Sequence, residues 1–366
     1  MAVYKIFAEK DTTLYSDYKL MNTGLDPILE LSKNISLVYA SQSSAARILI
    51  KFSDTDIANV KNTYLGTGSY NASLKMYLAD ATGLPTNYTL EARPLSGDWD
   101  MGTGQFGNNP ITTDGTSWQR RIAANQTDWT TYSFPAGVTG SFTTLNPGGG
   151  NWYTSSVTTQ SFGVYTQKDV SLDVTSMIAA YLTGSLTNNG FLIKTSGSLE
   201  FDPYYTYKLS FFSRDTNTIY PPVLEFKWDD SRFSVSGSSA SPVTSQDIRV
   251  SIANNKAEFH EDEIYRFRLN VRDQYPVRTF TTSSLYTTAK YLPQTSYYSI
   301  KDVKSDTIVV DFDTNYTKIS ADTVGNYFDV YMNGLEPERY YKLLIKTFIS
   351  GSTLIFDNEY FFKVLE

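Results

Sequence analysis

Ala46-Arg47-Ile48-Leu49-Ile50-Lys51-Phe52 is the stretch that decides the fold class. Its apolar positions run almost without a break, the pattern of a strand covered on both faces or lying at the centre of a sandwich. Similar short runs recur along the chain: Leu74–Leu78, Asn189–Lys194, Lys208–Phe212 and Val223–Trp228. Turn-forming clusters separate them, as in a β-sandwich or jelly roll. One segment has helical spacing: Val174, Met177, Ile178, Tyr181 and Leu182 fall on one face. Asp173 or Thr175 can cap its start and Gly184 can stop it.

The composition agrees. Charged residues are only 19% of the 366, below the ~25% of an average domain. Ser, Thr, Asn and Tyr take their place, and these suit sheet surfaces and turns. The net charge of −7 and the absence of a basic run argue against nucleic acid and against an electrostatic membrane contact. With no cysteine, the chain has no disulfide, zinc–thiolate site or thiol nucleophile. Met1–Asp11 holds no apolar core of signal-peptide length, and no run approaches a membrane span. The expectation is synthesis in a host cytoplasm without a signal peptide, and release by lysis or by incorporation into a particle.

A Ser-, Gly- and Pro-rich stretch near 231–246 reads as a linker. It divides a domain of residues 1–230 from one of residues 247–366. After it a new series of strands begins: Glu263–Val271, Thr307–Phe312, Asn326–Met332, Tyr340–Phe348 and Thr353–Val364. Two long Gly/Asn/Thr-rich loops, Gly97–Gly115 and Gly137–Gly150, are of the length that usually carries function or lacks order. Subunit contact is the favoured role for them. The run Gly148-Gly149-Gly150 lacks the Lys of a phosphate loop and reads as a flexible turn.

The first ~230 residues resemble the DNRLRE-type β-sandwich domain. The resemblance rests on Asp11-Thr12-Thr13-Leu14-Tyr15 with Asn22-Thr23-Gly24 and Ile28–Leu31, and on Arg47 leading into a strand that ends at Phe52. It continues with Leu172-Asp173-Val174-Thr175 followed by Asn189-Gly190-Phe191, and with Phe211-Phe212-Ser213-Arg214-Asp215 before Pro221–Phe226. What it implies is a carbohydrate-binding-like jelly roll of the kind found on bacterial surface proteins, polysaccharide enzymes and phage structural proteins. Catalysis is not implied. Arg47 and Asp215 are candidates for a structural ion pair. In the second domain, Leu335-Glu336-Pro337-Glu338-Arg339-Tyr340-Tyr341 resembles the L-x-P-x-x-x-Y corner of fibronectin type III and immunoglobulin-like sandwiches. There a tyrosine hydroxyl bonds back to the backbone; Tyr340 or Tyr341 would fill the role. The expected architecture is thus all-β, a jelly-roll-like sandwich followed by a smaller immunoglobulin-like one.

Catalytic chemistry finds little support. The single histidine, His260, lacks a nucleophile elbow, and one His cannot make a multi-His metal site. Asp98 and Asp100 flank Trp99, but no spacing singles out a glycosidase pair. No cofactor is expected. Calcium is the one ion with candidate residues, in Asp54-Thr55-Asp56 and Asp311-Phe312-Asp313, and neither completes the calcium-loop pattern, so incidental acids are the commoner reading. Trp99, Trp118, Trp129 and Trp152 fall in or near the long loops and are the candidate glycan or subunit contacts, although buried anchoring is the commoner fate of tryptophan. Trp228 falls in a strand and is expected to pack.

No leader, no cysteine, tandem β-sandwiches and polar, aromatic-studded surfaces together suggest a structural or accessory protein of a tailed-phage virion. Neck, collar, tail, baseplate and head surface all fit. Its partners would be other virion proteins in a symmetric assembly. The alternative is an adhesion module for a cell-surface glycan, and the two overlap if a virion protein binds host glycan.

Overall fold

The computed structural model describes residues 2–35, 43–131, 133–140, 147–200, 205–238, 240–254, 256–276 and 289–366. The chain is all-β and divides into two compact units. One holds Ile6–Gly66 and Asn71–Glu225; the other holds Phe226–Glu366 with Met1–Lys5 and Thr67–Tyr70.

In the first unit the deciding stretch lies within the strand Ser43–Lys51, at the heart of the largest sheet. The order there is Thr158–Phe162, Tyr88–Pro94, Phe191–Thr195, Ser43–Lys51, Ile28–Ile35, Tyr207–Phe212, Leu78–Thr82, with Lys10–Tyr15 also paired to Ser43–Lys51. Ile48, Leu49 and Ile50 have no solvent exposure, as a strand covered on both faces requires. A four-stranded sheet has the order Ala2–Phe7, Val223–Trp228, Tyr70–Met76, Val170–Asp173. The helix Thr175–Leu182 buries Met177 and Ile178. Its start is held by Asp173, whose Oδ1 accepts from the Thr175 amide at 3.0 Å and hydroxyl at 2.6 Å. Gly184, with φ +73°, stops it.

A second helix, Asp54–Val60, continues into a π-helical turn, Lys61–Leu65. The calcium candidates Asp54 and Asp56 occupy its first turn, where carboxylates complement the helix dipole. Ser53 caps it, accepting from the Asp56 amide at 3.3 Å. Ile57, Val60 and Leu65 supply its buried face.

The second unit packs two sheets around an aromatic core. One has the order Ser241–Pro242, Lys290–Tyr291, Ile264–Asp273, Asn326–Tyr331, Ser320–Ala321, with Ile248–Ala253 added beside Ile264–Asp273. The other runs Glu258–His260, Ser352–Leu365, Tyr340–Ile349, Ser296–Asp302, Ile308–Val310. Phe267, Phe328 and Tyr298 stack in succession between them, with ring centroids 5.5 and 4.4 Å apart. Trp228 packs edge-on against Tyr331 at 5.3 Å. The Ser/Gly/Pro stretch is hydrogen-bonded into this unit: Phe233 bridges Ala321, the Ser234 amide donates to the Ala321 carbonyl at 2.8 Å, and Ser241–Pro242 forms an edge strand.

The tyrosine corner resolves to Tyr341. Its hydroxyl donates to the Glu336 carbonyl at 2.8 Å and its ring is buried, whereas Tyr340 points to solvent. Tyr341→Phe removes that bond and leaves the Glu336 carbonyl without this donor. A loss of about 1 kcal/mol in the second unit is expected, measurable as a lower urea midpoint with an unchanged slope.

Candidate functional site

The four loop tryptophans converge on one buried cluster. Trp99 and Trp118 have no exposure, Trp129 has 2% and Trp152 has 6%; they pack with Leu14, Ala45, Leu49, Leu95 and Leu192. None presents an open ring face to a ligand, which corrects the expectation of glycan or subunit contact through them. The reason is local. Loops as long as Gly97–Gly115 have too few apolar residues of their own, so the tryptophans turn inward and anchor them on the sheet. The indole N–H of Trp99 donates to the Asn189 carbonyl at 2.9 Å, and that of Trp129 to the Ser117 carbonyl at 3.0 Å.

Arg47 lies among these rings, 4.9 Å from the Trp118 centroid and 5.4 Å from that of Trp152. Its partner is Glu200 and not Asp215: Nε meets Oε1 at 2.6 Å and Nη2 meets Oε2 at 3.1 Å. Nη1 donates to the Gly149 carbonyl at 2.6 Å. Lys194 joins from the other side, 3.2 Å from Glu200 and 2.9 Å from Glu91. Burial pushes the Glu200 carboxyl up, but Arg47 and Lys194 outweigh it and hold the group below the usual range. This is a buried ionic lock.

The glycine run is part of the lock and not a flexible turn. A Cβ on Gly149, which has φ +73°, would sit 2.7 Å from the Trp118 ring and 2.9 Å from Arg47 Nη1. The loop Gly97–Gly115 is likewise built, around Asn22, which is fully buried. The Asn22 amide donates to the Met101 carbonyl at 2.7 Å and to the Thr116 carbonyl at 2.9 Å, and its oxygen accepts from Gly104 N at 2.8 Å. Of the loop Gly137–Gly150, residues 141–146 lie outside the described residues.

The remaining candidates serve local structure. His260 is exposed, with Nδ1 3.2 Å from the Glu366 carbonyl. Asp98 pairs with Lys10 at 3.2 Å, and Asp100 accepts from the Thr116 amide through its backbone carbonyl. Asp54 accepts from the Asn188 amide at 2.8 Å; Asp313 accepts from the amides of Asn315 and Tyr316. Among the described residues no group of three or more His, Cys, Asp or Glu is placed to hold a metal, and no helix is long and apolar enough to cross a membrane.

Among the described residues, open surfaces include one on each unit that bears exposed aromatic side chains. On the first, a groove of about 420 Å³ runs over the large sheet, lined by Tyr15, Asp17, Tyr18, Glu30, Asn34 and Phe106 among others. On the second, the outer face of the five-stranded sheet carries Tyr340, Phe348, Ile355 and Phe361, each at least 44% exposed. They lie on neighbouring antiparallel strands, where Phe348 stands opposite Thr353 and Lys346 opposite Ile355. Lys346 extends across the same face, 4.6 Å from the Phe312 ring and 5.5 Å from Tyr297. Neither surface was singled out from sequence. Compared with known family models, with curated proteins and with solved structures, the chain gives no match.

Proposed function

We propose that this chain is a non-catalytic structural or accessory protein of a tailed-phage virion that works by docking on neighbouring virion subunits. The observation that carries the reading is the outer sheet face of the second unit. Four large side chains stand exposed on two paired strands. Large exposed apolar side chains interleaved with charged ones, here Lys342, Lys346 and Asp357, suit a protein–protein contact surface, and aromatic residues are enriched in such contacts. A sheet face is also stiff, so docking there costs little ordering entropy.

Phe348→Ser combined with Ile355→Ser tests it. Both side chains are solvent-exposed, so fold stability should change by less than about 1 kcal/mol. Co-sedimentation of the recombinant chain with phage particles is expected to fall at least tenfold. Undiminished co-sedimentation of the folded variant would remove this face from the account.

A second reading, adhesion to a cell-surface glycan, is favoured by the aromatic groove of the first unit. A virion component can do both, one unit docking and the other touching the host.

A further inference from the structure

We propose that the groove over the strands Lys10–Tyr15, Ile28–Ile35 and Ser43–Lys51 binds a neutral hexopyranose unit of a glycan, with Phe106 and Tyr18 as its stacking platform. The proposal rests on the glycan-adhesion reading and gives it a site and a ligand class.

Phe106 is the first reason. It is 53% exposed although it sits in a loop otherwise tied down on all sides. The Phe106 amide donates to Asp26 Oδ2 at 3.0 Å, and the neighbouring Gln105 side chain donates to the Leu25 carbonyl at 2.9 Å. Tyr15 supports the ring from one side at 5.2 Å, and Tyr18 meets it edge to face at 6.0 Å. A large apolar ring fixed in this way is oriented before any ligand arrives. Pyranose rings present C–H groups on one face and pack on aromatic faces in that geometry.

The floor of the groove is the second. Glu30, Ser32 and Asn34 occupy alternate positions of one strand, so they share a face. Ser44 stands opposite Asn34 in the adjacent strand, and Asp17 and Thr206 complete the rim. Carboxylate, amide and hydroxyl groups beside aromatic rings match a ligand with several hydroxyls around an apolar ring. The volume of about 420 Å³ falls within the range of small-molecule sites.

Charge narrows the ligand class. Among the described residues the lining includes two acids, Asp17 and Glu30, and no Lys or Arg; Lys208 beside it is already ion-paired with Glu30. An anionic sugar, such as a uronate or a sialate, would have to compete with Glu30 for Lys208. Neutral hexoses and N-acetylhexosamines carry no such penalty.

Saturation-transfer difference NMR on the full chain tests the proposal. The probes are the methyl glycosides of glucose, galactose and N-acetylglucosamine, with glucuronate and N-acetylneuraminate as anionic comparators. Transfer to the ring protons of at least one neutral glycoside is expected, with none to the anionic sugars. Phe106→Ala should weaken that binding about tenfold, as loss of one aromatic contact implies. Asn34→Ala, an exposed position, should weaken it in a chain whose melting is unchanged. No transfer to any neutral glycoside overturns the proposal, as does preferential transfer to the anionic sugars, or binding that survives both substitutions. If the chain still retains a polysaccharide in pull-down after Phe106→Ala, glycan adhesion stands and the groove is not its site. If it retains none before or after, both fall.

Discussion

Replacing Arg47 with alanine is expected to destabilise the first unit by about 3–5 kcal/mol, the usual cost of breaking a buried ion pair by removing one partner. Arg47 is 1% exposed, and Glu200 is buried with it. Without the guanidinium, the Glu200 carboxylate keeps only Lys194 at 3.2 Å, and the Gly149 carbonyl loses a donor at 2.6 Å. The stack between Trp118 and Trp152 also empties. Arg47→Lys should recover little, because an ammonium cannot make the two-pronged contact with Glu200. Arg47→Met with Glu200→Leu should recover much of the loss, since an apolar pair of similar size leaves no orphaned charge. Urea unfolding followed by tryptophan fluorescence is the measurement. It reads the region directly, because four of the chain's five tryptophans line this cluster. A change below about 1 kcal/mol for Arg47→Ala would show that the lock does not hold the loops.

Raising the pH from 4 to 8 is expected to weaken the first unit, and Asp11→Asn to abolish that dependence. The Asp11 carboxyl is buried; Oδ2 accepts from the Arg214 amide at 2.7 Å, while Oδ1 has no hydrogen-bond partner among the described residues. Burial, aided by the nearby Asp215 carboxylate, pushes the group up to about 8, against 3.8 in an exposed carboxyl. Between these values the folded chain holds a proton that the unfolded chain has released. Stability therefore falls as pH rises through this window and levels off above about 8. The gap sets an upper limit of about 6 kcal/mol, and relaxation of the site reduces it to a few. Asparagine carries no charge at any pH and offers the same acceptor to Arg214. Chemical denaturation at pH 5, 7 and 9 checks this: the variant should be close to the wild type at pH 5 and more stable at pH 9. A variant less stable than the wild type at pH 9 would contradict it.

Local pattern carried the strands and one helix. The apolar run through Ile48–Ile50 announced a strand covered on both faces, and the spacing of Met177 and Ile178 with Asp173 and Gly184 at the ends announced the helix. The corner motif narrowed the hydroxyl to Tyr340 or Tyr341, and the structure gives it to Tyr341. What pattern did not carry was long-range pairing. Arg47 and Glu200 are 153 residues apart, and nothing around either names the other. The loop tryptophans stood as candidate contacts, with burial their commoner fate, for the same reason: their shared core assembles from seven separate stretches. The helix Asp54–Val60 had a signal in Ser53 and its acidic first turn, but the paired acids were weighed only as incidental acids or a calcium site. The groove had a faint one in the polar alternation of Glu30, Ser32 and Asn34, while Phe106 was indistinguishable from any other loop residue.

The docking reading ascribes the exposed sheet face to contact with virion neighbours. Its most direct test is quantitative mass spectrometry of gradient-purified particles from a phage lysate that contains this chain. The expected result is the chain at a fixed, integral ratio to the other structural proteins, retained through high-salt washing because the contact is apolar. Its absence from purified particles, with abundant chain left in the lysate, would contradict the virion assignment.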